Sequence, residues 1–243
     1  MNITRKVTLR EAPPLVGTEI AVYVSGIPCD LSDGYTFGFT RIPKPAASTH
    51  FTIEWGDGSG ATYYETRTNL KHTYKRPGLY RIRICDCVNN VAVSASSAPI
   101  ENLVYAPMIR EFRTTSTQII TLARTGFSNA YNLEKLELRG SSVRNLAAGT
   151  FMGCKALKSL EGCAGIERLF MTVFCDCISL PERVDLPSLI SISADADKSP
   201  FLGTNIKEFH FAAKNEETIK ALKFYQETGG NLGLEGAVCV FDL

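Results

Sequence analysis

From Ile109 onward a phenylalanine and a set of leucines return at nearly fixed intervals. Aligned on Leu133, one unit carries apolar residues at Leu136, Leu138, Val143, Leu146 and Phe151. The unit before it places Ile109, Phe112, Ile119, Leu122 and Phe127 at matching offsets, with polar Thr114 where Leu138 stands. The unit after it places Leu157, Leu160, Ile166, Leu169 and Phe174, one residue short in its second half. A looser unit follows with Leu180, Val184, Leu186, Leu189, Ile192 and Phe201, and Ile206, Phe209 and Phe211 open a fifth. The unit-ending phenylalanines lie 24, 23 and 27 residues apart, and a small side chain stands three residues after each: Ala130, Cys154, Cys177 and Thr204. A unit of this length cannot bury its own apolar face. It folds only by stacking on its neighbours into a continuous core.

A period in the twenties opening on L-x-x-L-x-L is the pattern of a leucine-rich solenoid. The finer motif, F-x-x-C-x-x-L-x-x-L, most resembles the BspA-like leucine-rich repeats of bacterial surface proteins, over roughly residues 107–211. That resemblance implies repeat units of α/β type and ligand contact or adhesion through the solenoid surface, and it supplies no catalytic set. The stretch "PERVDLPSLISISADADKSP" (181–200) carries extra residues, expected to bulge from one edge. The tail "KNEETIKALKFYQETGG" predicts a helix with Asn215 as N-cap, Glu216 and Glu217 at the positive end of its dipole, and Gly229-Gly230 as its stop. "GAVCVFDL" then predicts a last strand, so that helix and strand together cap the solenoid.

The first hundred residues have another texture. "ITRKVTL", "EIAVYVS", "YTFGFT", "HFTIEW", "ATYYE", "KHTY" and "LYRIRICDCV" alternate apolar and polar residues, with turn formers between them. Such short strands predict an antiparallel sandwich of immunoglobulin-like type. Gly56-Asp57-Gly58-Ser59 falls between two of them and reads as a hairpin turn of type I′. A phosphate loop would need a helix after it, and "ATYYETRT" is β-branched and aromatic. The turn "WGDGS" followed by "HTYKRPGLYRIRI" resembles a PKD domain, which implies a spacer or binding module of surface assemblies with no catalysis of its own. The resemblance makes His72 a structural histidine and Trp55 a core residue.

Sites for chemistry are sparse. Asp57 alone falls far short of the six to eight oxygens of a calcium site. The triplets Cys85-Asp86-Cys87 and Cys175-Asp176-Cys177 lack the C-x₂₋₄-C spacing of structural zinc. Cys154 and Cys177 take a repeat position that wants a small buried group, Cys239 lies in a core-like strand, and free thiols are the expected state. Asp195 and Asp197 read as a solvated edge rather than a carboxylate dyad. His50, His72 and His210 are spread along the chain with no Ser-His-Asp arrangement. A net charge of +1 with scattered basic residues gives no nucleic-acid footprint. No apolar run approaches the 18 or so residues of a membrane span, and "MNITRKVTLREAPPLVG" lacks the apolar core of a secretory leader.

The expected architecture is therefore two domains: an all-β PKD-like sandwich over 1–100 and a BspA-like solenoid over 105–243 with its helix–strand cap. The expected function is binding or display without catalysis, metal or cofactor. A protein or glycan would be contacted on a cell surface or in a virion-associated assembly, with a purely architectural phage role as the alternative and a hydrolase as a remote third. No nucleic acid and no membrane insertion are expected. Export would follow a route not visible in the chain. The candidate contact face consists of polar residues between the apolar anchors: Glu134, Lys135, Glu137, Arg139, Lys158 and Arg168.

Overall fold

The computed structural model describes residues 17–28, 33–41, 51–64, 68–85, 105–117, 121–122, 124–192, 199–212, 233–234 and 236–242. Every alternating run that falls among them is a strand: β1 (Thr18–Val24), β2 (Thr36–Arg41), β3 (Phe51–Glu54), β4 (Ala61–Tyr64), β5 (Thr68–Thr73) and β6 (Gly78–Cys85). The run at 3–9 lies outside the described residues. β6 sits between β1 and β3, antiparallel to both, and β3 pairs with β4. β2 and β5 form a separate two-stranded ribbon. Alternation sends Ile20, Val22, Ile53, Ile82 and Ile84 inward to meet Phe37, Phe39 and Leu70 of the ribbon, while Leu79 points to solvent.

The repeat half turns about four times around its core. A 3₁₀ turn (Ala106–Met108) leads into β7 (Ile109–Thr114), which runs parallel to β9 (Lys135–Glu137), itself parallel to β11 (Ser159–Glu161). A further parallel group, β13 (Arg183–Asp185), β15 (Glu208–Ala212) and β16 (Val238–Asp242), carries the last units. On a second side, β8 (Thr121–Leu122), β10 (Asn145–Leu146), β12 (Arg168–Leu169) and β14 (Ser191–Ile192) form a four-rung ladder. Leu122, Leu146 and Leu169 face the core from these rungs. The third side is a stack of rings. Phe127, Phe151, Phe174 and Phe201 lie 5.4, 5.6 and 5.9 Å apart at interplanar angles of 12°, 7° and 13°. Phe112 closes the stack at one end and Phe209 at the other.

The α/β character expected of the units needs correction, since in place of a helix each unit carries tight turns on the ring side. Thr125, Gly149 and Thr172 adopt positive φ at one repeat position, and Asn129, Gly153, Asp176 and Gly203 do so four residues on. Left-handed residues at that spacing stop a right-handed helix from propagating. The backbone between them is also committed elsewhere. The amides of Thr125, Phe127 and Asn129 donate to Ala148, Thr150 and Met152 of the next unit, and those of Gly149, Phe151 and Gly153 donate to Met171, Val173 and Cys175. Units are thus hydrogen-bonded on all three sides. At Gly153 a Cβ would come within 2.7 Å of the Asn129 side-chain oxygen, so that side chain would have to turn aside.

The buried small residues behave as the repeat register requires. The thiols of Cys154 and Cys177 donate to the carbonyls of Phe127 and Phe151, one unit back, each at 3.1 Å. Burial first, and then proximity to Cys177, pushes the Cys154 thiol well up. The amides of Phe174 and Asp176 still reach Pro200 and Leu202 across the long fourth unit, so its extra residues are absorbed before Pro200. Residues 193–198, with Asp195 and Asp197, lie outside the described residues, as do His50, Cys29, Cys87 and the helix expected over 215–228. The last strand is present, with Phe209 opposite Cys239.

A strand pairing joins the two halves of the chain. β7 pairs antiparallel with β1, Thr18 opposite Thr114 and Ile20 opposite Phe112, with a bulge at Ala21/Val22. A seven-stranded sheet in the order β11-β9-β7-β1-β6-β3-β4 results. A parallel ladder leaves unpaired amides and carbonyls at its end. Here the N-terminal sheet covers that end, and the two hydrophobic cores merge into one cluster.

Candidate ligand-binding surface

The "WGDGS…HTY" residues converge on one cluster. Glu54 opposes Ala61, so the hairpin loop spans Trp55 to Gly60 and is longer than the two-residue type I′ turn that Asp-Gly suggests. Asp57 Oδ1 accepts from the Ser59 amide (3.0 Å) and hydroxyl (2.6 Å), and Oδ2 meets His72 Nε2 at 2.7 Å. The His72 ring stacks on Trp55 at 5.0 Å and 11°, and the Tyr74 hydroxyl donates to the Trp55 carbonyl at 3.0 Å. Both carboxylate oxygens are thereby engaged within the motif. Partial burial works against ionisation of Asp57, but the bonds from Ser59 and His72 outweigh it and hold the carboxyl down at about 2.

Because this pKa is depressed on folding, the contribution of ionised Asp57 is complete above its unfolded value of 3.8 and is lost as pH falls through about 2. Asp57→Asn should therefore be less stable than the parent chain at neutral pH. That deficit, measured by urea denaturation, should shrink between pH 3.8 and about 2. A deficit independent of pH over this window would place the carboxylate outside the cluster.

The outer face of the seven-stranded sheet is a lattice of ion pairs. Glu19, only 2% exposed, lies beneath Arg81 (2.9 Å), Arg83 (3.3 Å) and Arg113 (3.6 Å). Arg81 bridges on to Glu111, and Arg113 to Glu137. Lys135 joins Glu137 to Glu161, which also holds Arg139. The bond from Glu161 raises Lys135 above its ordinary value, and the same bond holds Glu161 below its own. Of the expected contact residues, Lys135, Glu137 and Arg139 belong to this lattice, and Glu134 pairs with Lys158 one rung away. The repeat offset carries the signal for two of these pairs: Arg113 and Glu137 stand 24 residues apart, as do Glu134 and Lys158.

Arg168 lies on the second ladder, apart from the other five. There Thr121, Asn145 and Arg168 share one outward row, and Arg124, Ala148 and Met171 share another, two residues past the inward leucines. Ala147 and Ala148 are small where the next unit has Phe170 and Met171. The difference in size leaves an open trough of about 420 Å³, lined also by Arg124 and Arg168. Among the described residues no carboxylate lines it and neither guanidinium makes an ion pair. The ring of Phe170 is 39% exposed. This trough was not anticipated; comparing Ala147-Ala148 with Phe170-Met171 in the aligned repeats would have pointed to it.

Among the described residues, no group of three His, Cys, Asp or Glu side chains is placed to hold a metal ion. No helix among them is long and apolar enough to cross a membrane. No protein-family model matches the chain, and no curated protein matches it. Among solved structures the chain is similar to a leucine-rich repeat protein from Bacteroides ovatus, at 14% identity and a TM-score of 0.33. The likeness covers 68% of this chain and 49% of that protein, so the chain spans about half its length.

Proposed function

We propose that the chain is a non-catalytic binding module, a PKD-like sandwich fused to BspA-like leucine-rich repeats. It presents the second ladder of the solenoid to a protein or glycan in a cell-surface or virion-associated assembly. One observation carries this reading. Charges on the sheet face are spent on one another, whereas the second ladder keeps an apolar-floored trough beside two arginines that have no ion-pair partner among the described residues. The stiffness of the frame supports it too, since units bonded on three sides hold a surface with little loss of entropy on binding.

A combined glycan and protein array probed with the full chain tests the proposal. At least one feature should retain the chain, and Ala148→Leu should weaken that retention by about tenfold or more by filling the trough. The neighbouring row position holds Met171, so a large side chain is accommodated there without unfolding. Retention untouched by Ala148→Leu, or none at all, would overturn the reading. Release of a chemically altered product from a retained feature would make the chain an enzyme.

A further inference from the structure

The geometry points to an anionic glycan, a sugar chain carrying carboxylate or sulfate groups, as the occupant of the trough between Arg124 and Arg168. This inference rests on the binding reading above and narrows its ligand to one chemical class.

Three features of the trough select that class. The first is charge. Arg124 and Arg168 both line it, no acidic side chain does, and neither arginine has an ion-pair partner among the described residues. Several other cations on the solenoid are matched: Arg139 meets Glu161, Arg144 meets Glu167 and Lys158 meets Glu134. A guanidinium without an ion-pair partner can donate paired, charge-assisted hydrogen bonds to carboxylate or sulfate oxygens. Their backbones are two rungs apart and in different rows, a separation of at least about 10 Å, which suits successive charged sugars better than one small anion.

The second feature is the floor. Ala147 and Ala148 form a shallow apolar base, and the half-exposed ring of Phe170 rises beside it. Pyranose rings present axial C–H groups that pack on an aromatic face while their hydroxyls stay in water. An open, shallow site with one exposed ring suits that mode.

The third feature speaks against an extended acidic peptide. Peptides that dock on β structure do so largely through free backbone groups at an edge. In this ladder β10 is paired on both sides, with β8 and β12, and the amides of Ala147 and Phe170 donate to Leu122 and Leu146 one unit back. Over β10 and β12 recognition must come from side chains, and those lining the trough are two cations, an aromatic ring and a small apolar floor, with Thr121 and Asn145 beside them.

The test is calorimetric titration of the full chain with four probes: an oligogalacturonate hexamer, the same hexamer reduced to neutral sugars, a sulfated galactan hexamer and hexaglutamate. Binding is expected for at least one of the two anionic sugars, and reduction of the carboxylates should weaken uronate binding by about tenfold or more. Arg124→Ala and Arg168→Ala should each weaken it to a similar degree, the loss of one charge-assisted contact. Phe170→Ala should weaken the anionic sugars while leaving the folded circular dichroism spectrum unchanged. Hexaglutamate binding as tightly as the sugars would overturn the glycan class in favour of an acidic peptide. Equal binding of charged and reduced hexamers would overturn the role of the arginines. If none of the four binds while array retention is still lost in Ala148→Leu, the anionic-glycan class falls and the binding reading stands. If Ala148→Leu leaves array retention unchanged, both fall together.

Discussion

Phe151→Ala is expected to lower the unfolding free energy of the chain by about 3–5 kcal/mol, the range for a fully buried phenylalanine truncated in a core. Phe151 has no solvent exposure and is sandwiched between Phe127 at 5.4 Å and Phe174 at 5.6 Å, all nearly parallel. The cost belongs at the upper end because the site cannot collapse. The backbone on either side is pinned between units by the bonds from Phe127 to Thr150 and from Phe151 to Val173. Neighbouring rings therefore cannot slide together to fill the gap, and the lost contact surface stays as a cavity. Phe170→Ala is the matched control, since that ring is partly exposed outside the core and its removal should cost only about 0.5 kcal/mol or less. Urea denaturation of both variants reads the difference. A loss below about 1 kcal/mol for Phe151→Ala would mean that the rings do not stack in the register described.

What could be read from the chain, and what could not, follows from which interactions are periodic. The apolar anchors repeat, so Leu133, Leu136, Leu146 and Phe151 announced both the core and its order, and all four are buried. The conformation joining the anchors was less legible. Asn129 and Asp176 tolerate left-handed backbone and align with Gly153 and Gly203, but Thr125 and Thr172 do not favour it, and theirs is held by the hydrogen bonds that units make to one another. The junction of the two halves was not legible at all. Nothing in "TEIAVYV" reports that Thr18 will lie opposite Thr114, because that pairing is decided by the need to cover the open end of a parallel ladder. The burial of Glu19 follows from the junction: arginines from β6 and β7 close over a carboxylate that alternation alone would have left in solvent. The trough lies between these extremes. Its alanines are visible in the aligned repeats, but which described residues stand within reach of Arg124 and Arg168 is a fact of packing.

Gly56→Ala and Gly58→Ala, two single-methyl changes in one loop, should differ sharply. Both glycines have positive φ, 82° and 81°, so each alanine carries the left-handed cost of about 1–2 kcal/mol. Nothing lies within 4 Å of a Cβ at Gly58, and its loss should stop there. At Gly56 the added carbon would stand 2.5 Å from the Arg81 carbonyl oxygen and 2.9 Å from the Arg81 amide nitrogen. Those are backbone atoms of β6, the strand held between β1 and β3, so no side-chain rotation relieves the clash. A further 1–3 kcal/mol or so of overpacking is expected, for a total of about 2–5 kcal/mol. The strain would also pass onward, because Arg81 holds Glu19 and Glu111 and so ties the loop to the first strand of the solenoid. Equal losses in the two variants would mean that the glycines serve turn geometry alone. A larger loss at Gly56 would show that the first glycine of "WGDGS" exists to let the loop lie against β6, making this motif a joint in the frame that supports the solenoid.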